Sequence, residues 1–110
     1  MIAPLRDRRT LAVVRDQGRR GRSGPVSARH APVPGDERCL VAFAIGRRTG
    51  TAVVRNRIRR RLRAALAELA AVDAVPAGAL VISAGAPVAH APFAAVCTDL
   101  RRALERAVAA

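Results

Sequence analysis

Apolar and polar positions alternate along the chain in blocks, and each block predicts one structural element. Apolar residues recur at helical spacing within residues 4–17, which predicts a short first helix with Thr10 as a candidate cap and Gly18 as its end. The glycine- and arginine-rich residues 19–24 predict a loop. Residues 26–30 predict a weak strand, which a cluster of turn residues separates from the rest of the chain.

The strongest patterns lie after residue 38. The continuous apolar residues 39–45 predict a strand, and residues 79–83 predict another. A long amphipathic pattern predicts a helix over approximately Ala52–Ala71, and a last helix is expected with Pro92 near its first turn. The order helix, strands, helix, strand, helix predicts a single α+β domain over residues 1–110, with helices layered against a small sheet.

The two amphipathic helices each carry one stripe of aliphatic residues. At about 100° per residue, the long helix places on one face Val54, Ile58, Leu62, Ala65, Leu66 and Leu69. The last helix places on one face Phe93, Val96, Cys97, Leu100, Leu104 and Ala107. Both stripes are predicted to be buried, and the core is expected to be aliphatic because Phe43 and Phe93 are the only Phe, Tyr or Trp residues in the sequence.

The net positive charge of the chain indicates that this small domain binds polyanions. Its 110 residues include 20 arginines, no lysine and eight acids, which gives a formal net charge of +12. A hydrophobic content of 51% argues against disorder throughout, so the charge is expected on a folded surface. The sequence has no uncharged apolar stretch of about 18 residues and no secretory signal, so we expect a cytoplasmic protein without a membrane span.

Cysteines and histidines offer no obvious reactive site. Cys39 and Cys97 lie far apart without a CxxC motif, so they are predicted to be buried thiols in a reducing compartment. His30 and His90 are isolated, and the four residues together are too scattered for a zinc site or a catalytic pair. A glycine motif of the P-loop type is also missing. We therefore assign no catalytic residue and no metal ligand to the protein itself.

The densest feature is a run of arginines at the start of the long helix, because residues 41–63 contain eight arginines and no acid. One side of the helix carries Arg55, Asn56, Arg59, Arg60 and Arg63; the far side carries Arg57 and Arg61; the preceding turn adds Arg47 and Arg48. Guanidinium groups bond phosphate oxygens in pairs, and an asparagine offers both a donor and an acceptor. A merely solvated helix face normally mixes charges of both signs. The run therefore predicts contact with a nucleic acid.

RNA is favoured over DNA by what precedes this helix. A major-groove recognition helix usually follows a turn and a partner helix, whereas here a strand and a glycine turn come first. Structured RNA, which proteins recognise through shape, backbone and 2′-OH contacts, fits better. A DNA-binding regulator and a membrane-surface protein rank lower, the latter because aromatic anchors are missing. A ribosomal-type structural RNA-binding protein stays open.

Residues 47–63, Arg-Arg-Thr-Gly-Thr-Ala-Val-Val-Arg-Asn-Arg-Ile-Arg-Arg-Arg-Leu-Arg, closely resemble the signature of the bacterial ribonuclease P protein subunit. The resemblance implies a ribosomal-protein-like domain of order αβββαβα with a left-handed strand–helix–strand crossover. It also implies the accessory subunit of a ribozyme, in which the RNA performs the Mg²⁺-dependent removal of the 5′ leader from precursor tRNA. No catalysis is expected from the protein alone.

The resemblance further implies which residues contact the two RNA partners. The catalytic RNA is expected to contact Arg47, Arg48, Arg55, Asn56, Arg57, Arg59, Arg60 and Arg63. The leader of precursor tRNA is expected in a cleft between the first helix and the sheet, beside Leu11, Arg15, Val26 and Arg29, where the family usually has aromatics. Charge would then replace stacking in holding the leader. The Mg²⁺ is expected to be bound mainly by the RNA subunit and the substrate, and neither DNA nor a membrane is an expected partner.

Overall fold

Five strands form one mixed sheet, and three α-helices pack on it, in the computed structural model, which describes residues 1–108. The strands are β1 (Ile2–Pro4), β2 (Arg19–Ser23), β3 (Val26–Ala31), β4 (Cys39–Phe43) and β5 (Gly78–Ala84). The helices are α1 (Arg8–Gln17), α2 (Ala52–Ala71) and α3 (Phe93–Val108), and short 3₁₀ helices cover Arg47–Thr49 and Ala86–Ala89.

The order of strands across the sheet is β1-β4-β5-β3-β2. Strand β4 pairs in parallel with β1 and β5, whereas β3 pairs antiparallel with β2 and β5. Helix α2 makes the long connection that two parallel neighbours, β4 and β5, require. The predicted α+β class is confirmed, and from α1 onward the elements follow the order αβββαβα, which β1 precedes.

The two faces of the sheet are covered unequally. Helices α2 and α3 cover one face with the main core, whose largest fully buried members include Ile58, Leu62, Leu80, Ile82, Leu100 and Leu104. Helix α1 covers part of the other face through a small cluster of Leu5, Val14, Ala31 and Ala79. The sheet next to α1 therefore keeps an open stretch, in which a ligand can lie.

Helix α2 has its predicted bounds, and Thr51 fixes its start. The Thr51 side-chain oxygen accepts a hydrogen bond from the Val54 N–H at 3.3 Å, which satisfies one of the free donors of the first turn. The predicted stripe of α2 is confirmed, with Val54 half-buried at its edge and the other five residues buried. In the α3 stripe, Phe93 and Cys97 are half-buried and the others are buried, so Cys97 corrects the prediction of two buried thiols.

The predicted cap of the first helix is wrong, although its predicted end is confirmed. Asp7 is the cap, because its carboxylate accepts from the N–H groups of Arg9 at 3.3 Å and Thr10 at 3.4 Å. Thr10 lies inside the helix, and its hydroxyl donates to Asp7 at 2.7 Å. That hydroxyl bond, together with the backbone bonds, lowers the pKa of Asp7. Gly18 ends the helix by donating its N–H to the Val14 carbonyl at 2.8 Å.

The predicted loop at residues 19–24 is also wrong, because Arg19–Ser23 form the edge strand β2. Arginines, a glycine and a serine have little preference for strands, so the local sequence gives no strand signal. Contacts with α3 supply the missing stabilisation: Gly21 and Ser23 are buried, and the Ser23 hydroxyl donates to Asp99 at 2.8 Å. Pairing of all five β2 residues with residues 26–30 of β3 completes the strand.

Candidate nucleic-acid interface

Five polar residues on the outer side of α2 form what we call the arginine surface: Arg55, Asn56, Arg59, Arg60 and Arg63. Arg55 and Arg59 are half-buried, and the other three are exposed. Within residues 1–108, the ion pairs are Arg15–Asp16, Arg38–Asp36 and Arg101–Glu105, so the four guanidinium groups of this surface have no carboxylate partner there. Their charge is thus available to an external anion.

Arg59 is oriented by two acceptors within the fold. Its Nη1 donates to Asn56 Oδ1 at 3.1 Å, and its Nη2 donates to the Ile45 carbonyl at 3.4 Å. One acceptor belongs to α2 and the other follows strand β4, so the guanidinium is held across the junction between helix and sheet. A cation fixed before its ligand arrives loses less side-chain entropy on binding.

Arg63 and Arg55 have different surroundings from Arg59. The Arg63 guanidinium lies over the Phe43 ring, 5.3 Å from the ring centroid, which is within cation–π range. Arg55 Nε is buried and has no hydrogen-bond acceptor among residues 1–108. An unsatisfied buried donor costs about 1–3 kcal/mol. Because Nε has no contact with solvent, a ligand can reach Arg55 only through its terminal nitrogens, which are not among the buried atoms.

Arg57 and Arg61 point the other way and tie α2 to the segment between β5 and α3. Arg57 Nε donates to the Ala89 carbonyl at 2.6 Å. Arg61 donates through Nη1 to the Val88 carbonyl at 2.6 Å and through Nη2 to the Ala91 carbonyl at 2.5 Å. Arg57 is a predicted RNA contact. Its Nε is used in the hydrogen bond to Ala89, and its two terminal nitrogens remain for a ligand. The sequence places both arginines on the far side of the helix but holds no signal for their carbonyl partners.

Arg61→Ala is expected to lower the free energy of unfolding by about 1–3 kcal/mol, because two charge-assisted hydrogen bonds disappear and two carbonyls are left without their donor. Arg61→Lys should restore only part of that loss, since one ammonium cannot replace the planar fork. The matched control is Arg60→Ala on the exposed surface, with an expected change under about 0.5 kcal/mol. Urea unfolding measures the stability of all three variants. Equal losses for Arg60→Ala and Arg61→Ala would contradict the stabilising role of the bonds from Arg61 to Val88 and Ala91.

A groove crosses the open part of the sheet beside α1, and we call it the α1 groove. Its volume is about 480 Å³, and its lining includes Leu11, Arg15, Arg20, Ser27, Arg29, Val81 and Ser83. An adjoining hollow of about 320 Å³ shares Arg20, Ser27 and Ser83 with it and adds Arg22 and Thr49. The two together reach from α1 to the 3₁₀ helix that precedes α2.

The α1 groove and the adjoining hollow present arginines and hydroxyl groups. Arg20 lies opposite Arg29, and Arg22 opposite Ser27, in the ladder between β2 and β3. Arg29 Nη1 donates to the Arg15 carbonyl at 3.1 Å, which anchors its side chain against the end of α1. On the floor, the Ser27 and Ser83 hydroxyl oxygens are 2.6 Å apart. Such a surface suits the phosphates and hydroxyls of a single-stranded nucleic acid.

Three of the four predicted leader contacts, Leu11, Arg15 and Arg29, line the α1 groove. Val26 does not, because it is 0% exposed in the main core, and this burial corrects its prediction as a leader contact. Side chains alternate along a strand, so Val26 faces the core while its neighbour Ser27 faces the groove. Arg20 of the α1 groove and Arg22 of the adjoining hollow are absent from the predicted set, because the sequence predicts a loop where β2 lies and therefore gives no alternation of side chains.

Arg47 and Arg48 lie between the α1 groove and the arginine surface. Both are exposed and belong to the 3₁₀ helix Arg47–Thr49, whose last residue lines the adjoining hollow. The chain then turns through Gly50, with a φ of 152°, directly into the Thr51 cap of α2. This left-handed backbone favours glycine. The turn therefore places two further guanidinium groups at the junction of both surfaces.

Cys39, Cys97 and His30 each contact or lie among other groups of the fold. Burial raises the pKa of the Cys39 thiol to about 11. Burial and the nearby Glu68 carboxylate, 3.6 Å away, raise the pKa of Cys97. His30 Nε2 lies 2.7 Å from the Ala77 carbonyl oxygen. Residues 1–108 contain no group of three His, Cys, Asp or Glu side chains arranged to hold a metal ion. In the same part of the chain, no helix combines the length and apolar character needed to cross a membrane.

Sequence comparisons connect this chain with a known family. The family model described as Ribonuclease P matches residues 3–108. A "Ribonuclease P protein component" from Thermus oshimai is 37% identical over 90 residues, which are 82% of this chain and 55% of that protein. One from a Nocardioides species is 42% identical over 67 residues, which are 60% of this chain and 56% of that protein. The chain thus spans about half the length of these relatives.

Solved structures share the fold over almost the whole chain. The RNase P protein from Staphylococcus aureus superposes with a TM-score of 0.79 at 14% identity, covering 96% of this chain and 94% of that one. The RNase P protein from Thermotoga maritima gives a TM-score of 0.79 at 19% identity, covering 94% and 96% respectively. At these identities the similarity establishes the fold.

Proposed function

Since the chain belongs to the ribonuclease P protein family, we propose that it is the protein subunit that assists an RNA catalyst in removing the 5′ leader of precursor tRNA. The arginine surface, extended by Arg47, Arg48 and the outer nitrogens of Arg57, binds the catalytic RNA. The α1 groove binds the leader. The observation that carries the proposal is the set of guanidinium groups on α2 that have no carboxylate partner within residues 1–108.

The arginine surface has the chemistry to bind folded RNA. Planar guanidinium forks pair with phosphate oxygens and release counterions on binding. Arg59 is already oriented by Asn56, and the terminal nitrogens of the half-buried Arg55 remain for an RNA oxygen. Four arginines on one helix repel one another in the free protein. Binding RNA removes that repulsion, which adds to the stability of the complex.

The leader is held by charge and hydroxyl groups in this proposal. Arg20, Arg22 and Arg29 neutralise its phosphates, and the Ser27–Ser83 pair offers hydroxyls to phosphate or 2′-OH groups. Aliphatic Leu11 gives a base only an apolar contact, whereas stacking on an aromatic residue is worth about 1–3 kcal/mol per base. Leader binding is therefore more sensitive to salt here than in a protein with an aromatic cleft.

The protein itself supplies electrostatic stabilisation rather than reacting groups. Mg²⁺, held mainly by the catalytic RNA and the substrate, supplies the Lewis acid and the activated water of phosphodiester hydrolysis. The arginines reduce the phosphate repulsion that opposes close approach of substrate and catalytic RNA. The two partners thus meet on one cationic protein surface, with Arg47 and Arg48 between their sites.

The test is cleavage of a precursor tRNA with a 5′ leader by the cognate catalytic RNA at low Mg²⁺ concentration. Adding the protein is expected to restore cleavage at the mature 5′ end, and the protein alone should cleave nothing. The double variant Arg20→Gln, Arg22→Gln should weaken binding of precursor tRNA but not of mature tRNA. Arg101→Gln, Arg102→Gln on α3 is the charge-matched control. Tight RNA binding without restored cleavage would overturn the proposal in favour of a ribosomal-type structural role.

A further inference from the structure

A second groove lies on the other face of the sheet from the α1 groove, between β1, β4 and α2. We call it the β1 groove, and its volume is about 580 Å³. Ile2 and Pro4 of β1, Val41 and Phe43 of β4, and Leu66 of α2 contribute its apolar lining. It exists because β1 extends the sheet beyond the part that α2 covers, so Ile2 and Phe43 are only half-buried. The volume lies in the range of small-ligand sites.

The rim of the β1 groove is cationic. Arg6, Arg59 and Arg63 line it, and none of its lining residues within 1–108 is an acid. The Arg63 guanidinium lies over the Phe43 ring, so a cation and an aromatic ring stand side by side in the groove. Arg59 is held at the rim by its bonds to Asn56 and Ile45. A complementary ligand would combine a flat apolar part with an anionic part.

We propose that the β1 groove receives one unpaired nucleotide of the RNA that is bound on α2. Its base stacks against the Phe43–Arg63 pair, since bases stack on both aromatic rings and guanidinium planes. Its phosphate lies between Arg6 and Arg59. The inference rests on the proposed RNA-binding role of the arginine surface, because Arg59 and Arg63 belong to both sites. A second copy of this chain is a poor occupant, since each copy carries a net charge of +12.

The nucleotide site is tested on the full chain with mononucleotides, which makes the result independent of any ribonuclease P RNA. AMP, ribose 5-phosphate and inorganic phosphate are titrated at low salt while backbone amide NMR shifts are recorded. AMP is expected to shift Ile2, Val41 and Phe43 saturably and to bind about tenfold more tightly than ribose 5-phosphate, because only AMP brings a base to stack. Equal affinities, or AMP shifts that spare these residues, would overturn the proposal.

Two leucine variants separate base stacking from charge. Phe43→Leu keeps an apolar side chain but removes the ring, so it should reduce AMP affinity to that of ribose 5-phosphate. Phe93→Leu replaces the other phenylalanine, which is half-buried on α3 and outside the groove, and should leave AMP binding unchanged. Equal AMP binding by wild type and Phe43→Leu would refute stacking on Phe43, provided that both proteins unfold at similar urea concentrations.

Crosslinking in the assembled complex then tests whether the bound RNA occupies the β1 groove. Ultraviolet irradiation of the protein with its catalytic RNA should attach a nucleotide to the peptide that contains Phe43. Crosslinks confined to α2 peptides would overturn occupancy by the bound RNA. Failure of the protein to bind this RNA at all would count against the proposed function instead, and the AMP titration would still decide whether the β1 groove takes a nucleotide.

Discussion

Replacing Arg55 and Arg60 with alanine is expected to weaken binding of the catalytic RNA roughly 100-fold at moderate salt, at about 1.4 kcal/mol for each charge-assisted hydrogen bond to phosphate that is removed. The slope of log K against log salt should become shallower by about 1 per arginine, because each phosphate contact releases its condensed counterion. Filter binding or fluorescence anisotropy over a series of salt concentrations measures both quantities. The salt slope reports the number of phosphate contacts directly, whereas an affinity measured at one salt concentration does not.

The choice of arginines follows from the fold. Arg59, Arg61 and Arg57 donate hydrogen bonds to other parts of the chain, so their removal would mix stability with binding. Arg60 is exposed, and Arg55 Nε has no acceptor within residues 1–108, so alanine at these sites breaks no hydrogen bond of the free protein there.

The matched control for RNA binding is Arg101→Ala, Arg102→Ala on α3, which removes the same charge from two exposed residues. Non-specific attraction through net charge alone would give both double variants the same reduction in affinity. Specific contact at the arginine surface predicts a large reduction only for the α2 pair. An unchanged salt slope in the α2 pair would exclude this surface from the interface.

The sequence predicts α2 and its chemistry well because every determinant is local. The stripe from Val54 to Leu69 repeats at helical spacing, and Thr51 supplies the cap within the same segment. The side of α2 on which each arginine lies follows from the helical period alone. The half-buried state of Arg59 does not follow, because it depends on where Ile45 and the end of β4 lie.

Long-range contacts account for what the sequence does not predict. Strand β1 is three residues long and contains a proline, so its pairing with β4 and the groove beside it have no local signal. The carbonyls that Arg61 binds lie 27 and 30 positions along the chain. Strand β2 is a strand only because α3 and β3 pack on it, and its hidden alternation also conceals Arg20 and Arg22 as groove residues.

Gly21→Ala is expected to destabilise the fold by about 3 kcal/mol or more, at the upper end of the cost of overpacking. A Cβ atom at Gly21 would lie 2.1 Å from the Ala103 carbonyl oxygen and 2.4 Å from the Ala107 nitrogen. Both atoms belong to the backbone of α3, so no side-chain rotation can relieve the clash. Either α3 or the edge strand must move, and the Ser23–Asp99 hydrogen bond would be disturbed with it.

Gly46→Ala is the control for the same chemical change at an open position. Its φ of −77° is accessible to alanine, and a Cβ there meets nothing within 4 Å. Its expected effect on the free energy of unfolding is under about 0.5 kcal/mol. Urea unfolding followed by far-ultraviolet circular dichroism compares the two variants with the parent. Equal stability of all three would mean that β2 does not lie against α3, and the α1 groove and the adjoining hollow would then lose the wall that carries Arg20 and Arg22.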